Sequence, residues 1–504
     1  MTTKWADLRR ALLERGQGST TGPETREPSD LPITGVAYDS REVRPGQVFV
    51  ALKGLQTDGS LFIRQAVDRG AVLVVSEQEQ TGLTVPVLQV QDARAALAIL
   101  AAEFFGHPSE KMRVIGITGT NGKTTTSYLV ASIFEAARIK CGVLGTVAYR
   151  IGDEVRESSH TTPEAPDVQQ LLREMLDRGC GACAMEVSSH ALSLRRVDAM
   201  TFSAGIFTNL TRDHLDFHGD MDSYFRAKRR LFEMLPRDAP SLINLDDPRG
   251  TAVVEVSAKP VTYAINQQAD ITPGPLTYSA EGLTFDIRTP RGSLQVRSKL
   301  VGRPNVYNIL AAVSAAIALD LPFDAIETGI QTLDAVPGRF EVVSGPQDDI
   351  TVVVDYAHTD DALRNLLETA RPLAHGRLIT MFGCGGERDR TKRPLMGAVA
   401  GRLSDVIVIT SDNPRHEDPG RIIEEVQRGI TSDTLRPGSQ QFAIVDRRAA
   451  VAQAIEIARP GDLVLLAGKG HEKYQIVGDA SLPFDDVAVA RELLVRRRTN
   501  SRVV

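Results

Sequence analysis

A glycine-rich segment, GITGTNGKTTT at residues 116–126, carries the clearest chemistry in the sequence. It follows an apolar run, and Lys123 and Thr124 open a helical pattern directly behind it. Glycines let backbone N–H groups approach phosphate oxygens, and the start of a helix adds positive potential. Lys123 can neutralise β- and γ-phosphates, while the hydroxyl of Thr124 can bind Mg²⁺. The segment predicts a nucleoside triphosphate site, with a purely structural glycine turn as the alternative.

The spacing of this loop departs from the common phosphate-binding pattern. That pattern requires glycine at position 117, where this chain has Ile117, and the glycines stand instead at 116, 119 and 122. The loop alone does not distinguish a kinase, a ligase, a motor or a passive nucleotide binder.

Candidate metal ligands follow two other apolar runs. Glu186 ends the run in MEVSSHAL, and Asp213 and His214 lie in TNLTRDHLDFHG. Catalytic groups collect at the carboxyl ends of strands in α/β sheets, and Mg²⁺ prefers oxygen ligands. Glu186 and Thr124 therefore form a predicted magnesium site, whereas His214 is either a further ligand or a structural histidine.

A lysine in a basic helical segment is ambiguous. Tyr224 and Lys228 stand four residues apart in DSYFRAKRRLF, so they share one face of a helix. Three arginines, at 226, 229 and 230, flank the lysine. Periodicity alone favours a solvated basic face.

The segment SDNPRHEDP, residues 411–419, raises a similar question about Arg415. It follows the apolar run DVIVIT, which we expect to be a buried strand. Turn chemistry explains the Asp, Asn and Pro of this segment but not the arginine. Composition alone favours a surface arginine in a loop.

Length and composition limit the class of protein. A chain of 504 residues is too long for one core, so two to four domains are expected. A net charge of −6 argues against nucleic-acid and membrane-surface partners, and no apolar run reaches the roughly 20 residues of a membrane helix. The N-terminal segment lacks the apolar core of a secretory signal. The C-x-x-C at 180–183 has no second pair or histidine cluster, which favours reduced structural thiols in a cytoplasmic enzyme over zinc or redox chemistry.

The order of elements predicts three α/β domains. Short apolar runs alternate with helical patterns in the first hundred residues, and a polar segment at 106–112 marks a linker. Alternation resumes at Arg113 and predicts a mostly parallel sheet. Alternating residues over 255–300 predict an antiparallel insert, and a break at 335–343 precedes a further set of βα units. We predict domains at 1–108, 109–336 and 337–504, with the active site at strand ends where they meet.

Ten motifs in a fixed order resemble those of one family, the ATP-dependent Mur ligases. The resemblance covers residues 35–480, and the unusual glycine spacing of the phosphate loop is the spacing of that family. The motifs are GITGTNGKTTT, HTTPEA, MEVSSHAL, FTNLTRDHLDFHGDMDSYFRAK, PNVYNIL, PGRFE, VVDYAHT, FGCGGERDRTKRP, SDNPR and AGKGHEKYQ.

The resemblance implies a reaction and a division of labour. An N-terminal domain would bind a UDP-sugar, a central P-loop-type domain ATP, and a C-terminal Rossmann-like domain the incoming amino acid. ATP would phosphorylate a substrate carboxylate, and an amine would attack the acyl phosphate to give an amide, ADP and phosphate. Positioning and charge neutralisation dominate such phosphoryl transfers.

The resemblance also implies roles at the nucleotide site. Lys123, Glu186, His214 and Lys228 would be catalytic, and Thr124, Glu186, His214 and Lys228 would serve Mg²⁺. Lys228 stands where the family carries a CO₂-derived carbamate, which reverses the expectation of a solvated lysine. The residues around ATP would be Gly119, Thr120, Asn121, Gly122, Lys123, Thr124, Thr125, Asn305, Arg339, Asp355 and His358.

The implied substrates are UDP-N-acetylmuramoyl-L-alanyl-D-glutamate and meso-diaminopimelate, bound to a monomer. Leu194 stands where some relatives carry Gln, which puts one substrate hydrogen bond in doubt, and residues 55–57 also differ in character from some relatives. The implied contacts to the UDP-sugar substrate are Tyr38, Ser40, Thr161, Thr162, Ser188 and Arg196.

The segment D-N-P-R distinguishes two subgroups of the family. Ligases for meso-diaminopimelate carry the arginine and those for L-lysine lack it. An arginine can bind the distal carboxylate of diaminopimelate with two parallel hydrogen bonds, and Arg415 would supply them. The implied amino-acid contacts are Arg388, Asp412, Asn413, Pro414, Arg415, Gly468 and Glu472.

Several alternatives stay open at this point. The same ligation could use L-lysine or L-ornithine, and folylpolyglutamate synthetase is a more distant relative that HTTPEA and DNPR disfavour. A P-loop ATPase without ligation and a non-catalytic nucleotide-sugar binder are rivals from other classes.

Overall fold

The computed structural model describes residues 1–17, 30–54, 57–279 and 282–501, without the side chains of 500 and 501. Three α/β units follow one another along the chain, each around its own sheet, which confirms the predicted fold class. The predicted domain boundaries fall between these sheets and stay a prediction. Residues 55 and 56, which the sequence comparison singled out, lie outside the described residues. Among the described helices, none is long and apolar enough to cross a membrane.

The N-terminal unit is a four-stranded parallel sheet in the order β3-β4-β5-β6. Its strands are short β-branched runs, and helix α3 packs against them with an almost wholly buried apolar surface. Asp92 caps α3 by accepting a hydrogen bond from the Ala95 N–H at 2.9 Å. The elements are β1 (Thr3–Lys4), α1 (Trp5–Glu14), β2 (Pro32–Ile33), β3 (Gly35–Ala37), β4 (Gln47–Val50), α2 (Ile63–Asp68), β5 (Leu73–Ser76), β6 (Val87–Gln89) and α3 (Ala93–Phe105).

The central unit holds an eight-stranded sheet in the order β10-β9-β8-β11-β7-β12-β13-β14. Six strands are parallel, and β9 and β10 form an antiparallel edge. Strands β7, β11 and β12 are buried on both faces because their sequences are continuous apolar runs. The elements are β7 (Arg113–Thr118), α4 (Lys123–Ala136), β8 (Cys141–Leu144), β9 (Ala148–Ile151), β10 (Glu154–Glu157), α5 (Ala165–Asp177), β11 (Ala182–Glu186), α6 (Ser189–Ser193), β12 (Ala204–Phe207), α7 (Leu215–His218), α8 (Met221–Glu233), β13 (Ser241–Asn244), α9 (Gly250–Val254) and β14 (Pro260–Tyr263).

The predicted antiparallel insert is correct only in its second half. Strand β14 was expected to belong to the insert, but it pairs in parallel with β13 and closes the central sheet. A four-residue strand carries too little periodicity to reveal which sheet it joins. The hairpin does form, with Phe285 opposite Val296, and two long helices follow it. The elements are β15 (Thr272–Pro273), β16 (Thr277–Ser279), β17 (Gly282–Thr289), β18 (Gly292–Ser298), α10 (Arg303–Ala318) and α11 (Phe323–Thr332).

The C-terminal unit is a six-stranded sheet in the order β19-β20-β24-β21-β22-β23, parallel except for the edge strand β19. A hairpin, β25–β26, and a final helix follow it; neither was predicted. The elements are β19 (Glu341–Val342), β20 (Thr351–Asp355), α12 (Asp360–Ala370), β21 (Leu378–Cys384), α13 (Lys392–Leu403), β22 (Val406–Ser411), α14 (Pro419–Gln427), β23 (Gln440–Ile444), α15 (Arg447–Glu456), β24 (Leu463–Ala467), β25 (Tyr474–Val477), β26 (Ala480–Pro483) and α16 (Asp486–Ser501).

A fully buried ion pair joins the final helix to this sheet. Arg447 contacts Asp486 at 2.6 Å, and both side chains are inaccessible to solvent. The same guanidinium donates to the carbonyls of Ser411 and Ala467 at 3.3 and 3.1 Å. Ser411 is the last residue of β22 and Ala467 the last residue of β24. The pair therefore fixes the strand ends from which the C-terminal part of the site is built.

Replacing Arg447 by Met should leave the buried Asp486 carboxylate without a partner cation. We expect the free energy of unfolding to fall by about 3–5 kcal/mol, because breaking a buried pair leaves an uncompensated ion. Urea unfolding followed by circular dichroism measures the loss. The double variant Arg447→Met/Asp486→Leu should regain part of it, and a single variant that unfolds at the wild-type urea concentration would contradict the expectation.

Candidate active site

The carboxyl ends of β7, β11 and β12 lie side by side in the central sheet, as parallel pairing requires. The phosphate loop follows β7, Glu186 ends β11, and Asn209 follows β12. Residues of the C-terminal unit reach this edge: Asp361 accepts a hydrogen bond from the Asn121 side chain at 3.1 Å. The candidate site thus lies at strand ends between two units, where it was predicted.

Two glycines give the phosphate loop its close packing. Gly119 has φ 146°, and a Cβ there would lie 1.9 Å from the Thr208 hydroxyl oxygen. Gly122 has φ 86°, and a Cβ there would lie 2.4 Å from Oδ1 of Asn308. Thr208 donates to the carbonyl of Asn121 at 2.7 Å, so the end of β12 braces the loop. The loop is a preformed cradle that a side chain would fill, which suits backbone contacts to phosphate.

Replacing Gly122 by Ala should distort this cradle. Strained backbone positions cost about 1–3 kcal/mol, so we expect the KM for ATP to rise roughly tenfold or more. The matched control is Gly438→Ala, because Gly438 shares a positive φ of 81° but has open space around it. Steady-state kinetics with varied ATP tests the expectation, and equal KM values in the two variants would refute it.

Two lysine amines converge on one carbonyl of this loop. Nζ of Lys123 lies 2.9 Å from the Gly119 oxygen and 2.8 Å from the Thr120 oxygen, and Nζ of Lys228 lies 2.7 Å from the Gly119 oxygen. Lys228 is only 1% exposed, and its amine lies 4.5 Å from the Tyr224 ring centroid. Withdrawal from water lowers the pKa of both amines, that of Lys228 strongly, and the charge of Lys123 lowers the pKa of Lys228 further. The expectation of a solvated lysine from periodicity is wrong, because the helix turns this face inward.

Glu186 and Thr124 are both buried polar groups at the site. The Glu186 carboxylate accepts hydrogen bonds from the N–H and hydroxyl of Thr146 at 2.9 and 3.0 Å. The Thr124 hydroxyl accepts one from Arg339 at 3.1 Å. The Glu186 carboxylate and the Thr124 hydroxyl each keep an oxygen lone pair that can bind a cation. Glu186 lies at the end of β11, and Thr124 lies in the first turn of α4.

His214 begins the short helix α7 with φ 53° and packs edge-on against His190 at 4.8 Å between ring centroids. Burial lowers its pKa, with Asp213 opposing the shift. The ring is therefore neutral at physiological pH, as a metal ligand must be. This fits the predicted role and equally fits a structural histidine.

The described residues include no group of three or more His, Cys, Asp and Glu side chains close enough to hold a metal ion. A magnesium ion usually keeps water and substrate phosphate oxygens in its shell, and needs few protein ligands. The residues present thus fit Mg²⁺ only together with a nucleotide. All four cysteines are free and buried, and burial raises the pKa of Cys180 and strongly raises that of Cys183, which supports the structural interpretation of the C-x-x-C over a redox one.

The residues predicted around adenine and ribose lie across the seam between the two units. Arg339 stacks on the Tyr356 ring at 4.6 Å and reaches Thr124. The His358 ring bonds the Tyr356 carbonyl at 2.9 Å and lies 3.9 Å from the Asp213 carboxylate. Asp355 accepts from the N–H groups of Phe340 and Ala357 at 2.7 Å. Asn305, by contrast, is linked to the loop through Asn308, whose amide nitrogen donates to Oδ1 of Asn305 at 2.9 Å.

Most of the residues predicted to bind the UDP-sugar form one network beside Glu186. Thr162 donates to the Glu186 carbonyl at 2.8 Å and to Ser188 at 3.3 Å, and Arg196 donates to the Thr162 carbonyl at 2.8 Å. Thr161 bonds Thr146, the residue that holds the Glu186 carboxylate.

Tyr38 and Ser40 come from the N-terminal unit. The Tyr38 hydroxyl donates to Asp167 at the start of α5 at 2.7 Å, and Ser40 bonds Gln65 at 2.8 Å. The structure thus links the N-terminal unit to the helix that follows the Thr161–Thr162 segment. Leu194 follows the last residue of α6, and its N–H donates to the His190 carbonyl.

The predicted amino-acid contacts gather at the carboxyl ends of β22 and β24. Asn413 donates to Glu472 at 3.0 Å, and Asp412 lies buried beside them. Pro414 is also buried, and the Gly468 N–H donates to the Asp355 carbonyl at 3.0 Å.

Arg415 is held in place by its backbone. It has φ 52°, an uncommon conformation for a residue with a side chain. Its N–H donates to Ile476 at 3.1 Å and its carbonyl accepts from Gly478 at 2.8 Å, so the hairpin β25–β26 fixes the strained turn. Its guanidinium donates to the Gly386 carbonyl at 2.7 Å.

Arg415 and Arg388 make a positive, partly desolvated patch. Burial lowers the pKa of Arg415, and the charge of Arg388 lowers it further. In the described part of the chain, neither guanidinium has a carboxylate within ion-pairing distance, whereas most of the other arginines around the site are paired with an acidic side chain. A bound carboxylate could therefore neutralise part of the positive charge of this patch.

Several site residues gave no recognisable sequence signal. Thr146 holds Glu186, Asn308 underlies Gly122, Asp361 bridges to the loop, and Lys469 lies buried among the amino-acid contacts. A lysine between two glycines at the end of an apolar run was the one usable hint, for Lys469.

Three family models match the chain. The model described as Mur ligase middle domain matches residues 117–316, that described as Mur ligase, glutamate ligase domain matches 338–470, and that described as Mur ligase family, catalytic domain matches 32–105.

Curated relatives and solved structures agree with these models. The UDP-N-acetylmuramoyl-L-alanyl-D-glutamate–2,6-diaminopimelate ligase of Geobacter metallireducens is 49% identical over 489 residues, which cover 92% of this chain and 95% of the relative. The ligase of the same name from Bacillus licheniformis is 44% identical, covering 92% and 95%. A solved structure of a ligase with this name has a TM-score of 0.69 at 33% identity and covers 99% of both chains.

A more distant structure shares the fold alone. MurF ligase from Thermotoga maritima, solved in complex with ADP, has a TM-score of 0.63 at 18% identity and covers 93% of this chain and 98% of its own. The family models, the close relatives and the site geometry lead to one conclusion: the chain belongs to the Mur ligase family.

Proposed function

We propose that this Mur ligase adds meso-diaminopimelate to UDP-N-acetylmuramoyl-L-alanyl-D-glutamate, with ATP converted to ADP and phosphate, in the synthesis of peptidoglycan precursors. Relatives at 43–49% identity carry the name of this reaction. The observation in this chain that carries the choice of amino acid is Arg415, a partly desolvated guanidinium held beside Asn413 and Glu472.

The phosphate loop would bind ATP. Gly119 to Thr125 would surround the phosphates with backbone N–H groups and the Lys123 amine, while Arg339, Asp355 and His358 would close over the nucleoside from the C-terminal unit. Thr124 and Glu186, together with nucleotide phosphates, would hold Mg²⁺, which would supply charge neutralisation for phosphoryl transfer. Because Thr208 at the end of β12 braces the loop, the loop backbone is held in place for the phosphates.

Lys228 would carry a carbamate. A neutral amine is the nucleophile toward CO₂, and burial favours the neutral amine of Lys228 by lowering its pKa. The neutral nitrogen bonds to the carbon of CO₂, one C=O π bond opens to leave its electron pair on oxygen, and one N–H proton is released to solvent, so a neutral amine becomes an anionic oxygen group. That group would stand beside Lys123 and His214, where it can balance charge and support Mg²⁺.

The C-terminal loops would select the amino acid. Arg415 would bind the distal carboxylate with two hydrogen bonds, and Arg388 would face the other carboxylate. Asp412 and Asn413 would serve the amine, and Glu472 with the backbone at Gly468 would receive the distal ammonium. A site built for a charged group rejects an analogue that lacks it, because its buried partner is then left unpaired.

Phosphate release measures the proposal directly. The enzyme is given ATP, Mg²⁺ and UDP-N-acetylmuramoyl-L-alanyl-D-glutamate with meso-diaminopimelate, L-lysine or L-ornithine, and then with each substrate omitted. We expect release only when the UDP-substrate and meso-diaminopimelate are both present. Release without an amino acid would indicate an ATPase, no release under any condition a nucleotide-sugar binder, and equal release with lysine a ligase of different specificity.

The remaining expectations extend this proposal. ATP and a UDP-linked precursor are cytoplasmic metabolites, so we propose a cytoplasmic enzyme. We also propose that it acts as a monomer. We further propose domains at 1–108, 109–336 and 337–504, because each range holds its own sheet and core.

A further inference from the structure

Lys469 is a buried cation among the proposed amino-acid contacts. Its side chain is wholly inaccessible to solvent. Its amine donates to Oδ1 of Asn413 at 2.9 Å and to the carbonyl of Tyr474 at 2.7 Å. It also lies 3.1 Å from the Asp412 carboxylate and 3.5 Å from that of Glu472. Burying a lysine and two carboxylates together is costly unless each is well placed, so the arrangement calls for a purpose beyond stability.

The lysine fixes the orientation of the Asn413 amide. Oδ1 of Asn413 accepts from two groups that can only donate, the Lys469 amine and the N–H of Ile476 at 3.0 Å. The amide nitrogen is thereby turned toward Glu472, to which it donates at 3.0 Å. Without the amine, one of the two constraints on the amide is lost and the Glu472 carboxylate loses its fixed donor.

The lysine also sets the charge of the pocket. Burial opposes ionisation of Asp412, yet Lys469 and Arg447 hold its pKa below the ordinary value. Burial and the charge of Asp412 raise the pKa of Glu472, and Lys469 opposes that shift. Two adjacent carboxylates without a cation between them would share a proton. The ionisable and charged groups that face the Asp412–Glu472 pair are Lys469, Arg447, His358, Arg415, Tyr356 and Tyr474.

We propose that Lys469 is the positioning residue that orients the Asn413 amide and thereby presents the Glu472 carboxylate to the distal ammonium of the incoming amino acid. The inference rests on the proposed function, because it concerns the same amino-acid site. Lys469 acts through its two neighbours and leaves a single net negative charge among Asp412, Glu472 and itself. One ammonium matches that charge.

Lys469→Met and Lys469→Gln test the inference through the KM values of all three substrates. At pH 8 we expect the Met variant to raise the KM for meso-diaminopimelate at least tenfold, with the KM values for ATP and the UDP-substrate within twofold of wild type. Removing the cation raises the pKa of both acids, so they take up a proton as the pH falls. The KM for meso-diaminopimelate should therefore rise more steeply in the variants than in wild type between pH 8.5 and 6.5.

The Gln variant separates orientation from charge. Its amide can still donate toward Asn413 but carries no charge, so we expect partial recovery of KM at pH 8 and an undiminished pH dependence. It also provides a more polar replacement should the Met variant fail to fold. The matched control is Arg377→Met, which removes a cation paired with the buried Asp462 at 2.7 Å at the opposite edge of the same sheet. That variant should lose stability and keep the wild-type KM for meso-diaminopimelate at every pH.

Two results would overturn the inference. One is a KM for meso-diaminopimelate within twofold of wild type in both Lys469 variants; the other is a parallel rise in all three KM values without any added pH dependence, as a general loss of structure would give. A wild-type enzyme that ligates L-lysine instead of meso-diaminopimelate would refute the proposed function alone. The same comparison would then be made with L-lysine, which also carries a distal ammonium.

Discussion

Replacing Lys228 by alanine is expected to lower kcat for ligation by roughly 10²–10³-fold, the loss that follows removal of one preorganised charged group at a reaction centre. The amine lies 2.7 Å from the Gly119 carbonyl and is buried, so solvent does not screen its interactions with the phosphate loop. Coupled phosphate release measures kcat. The KM for ATP should change less, because Lys123 and the loop backbone remain.

Chemical rescue distinguishes a carbamate from a simple cation at this position. Formate or acetate can place a carboxylate in the space that Lys228→Ala vacates, so we expect either anion to restore part of the activity. Methylammonium should not. Rescue by the ammonium and not by the carboxylate would show that the unmodified amine is the active form.

The control for this prediction lies one residue further along the same helix. Arg229 is partly exposed and pairs with Glu233 at 2.8 Å, four residues away on the surface. Arg229→Ala should leave kcat unchanged, since exposed pairs of this kind contribute about 0.3–0.5 kcal/mol to stability and nothing to the site. Wild-type activity in Lys228→Ala itself would remove this lysine from the mechanism.

The contrast between Lys228 and Arg229 shows where sequence reasoning succeeds and where it stops. Both residues belong to a run of basic residues, and no local pattern separates the buried one from the exposed one. Tyr224 shares the inward face with Lys228, but an aromatic residue at helical spacing is common on any amphipathic helix. Only the resemblance to a family, or the packing of α8 under the phosphate loop, identifies the lysine.

Strand-end motifs were predictable for a physical reason. A parallel strand buried on both faces must be a continuous apolar run, so the residues that follow it are placed at one edge of the sheet as soon as the run is recognised. Glu186 was found in this way, whereas Arg415 was noticed after such a run and took its role only from the resemblance to the family. Strand β14 was misassigned because its four residues, PVTY, show no such continuous run.

Contacts between distant segments could not be predicted from local patterns. Asp361 and Asn121 are separated by 240 residues, and Lys469 and Asn413 by 56. The first pair joins the central and C-terminal units, and the second joins loops that follow β22 and β24 of one sheet. A single sequence contains no signal for either arrangement. The residues that sequence reasoning missed are therefore mostly those that brace the site and not those expected to touch substrate.

Replacing Arg415 by Met should reverse the choice of amino acid. Truncating one partner of a hydrogen-bonded charge pair costs about 2–5 kcal/mol, so we expect kcat/KM for meso-diaminopimelate to fall by roughly 10²–10³-fold. L-Lysine has no distal carboxylate to lose, and its kcat/KM should stay level or rise. The ratio of the two kcat/KM values is the quantity to measure, because a general loss of activity cancels in it.

Two further variants decide what the guanidinium contributes. Arg415→Lys keeps the charge without the fork of two donors, and should recover only part of the lost kcat/KM for meso-diaminopimelate. Arg421→Met removes an exposed arginine from α14, a few residues further along, and should change neither substrate. If Arg415→Met lowers kcat/KM for both amino acids in parallel, then Arg415 serves only to hold the turn between Gly386 and the hairpin β25–β26. If kcat/KM falls for meso-diaminopimelate and not for L-lysine, the arginine binds the carboxylate that distinguishes diaminopimelate from lysine.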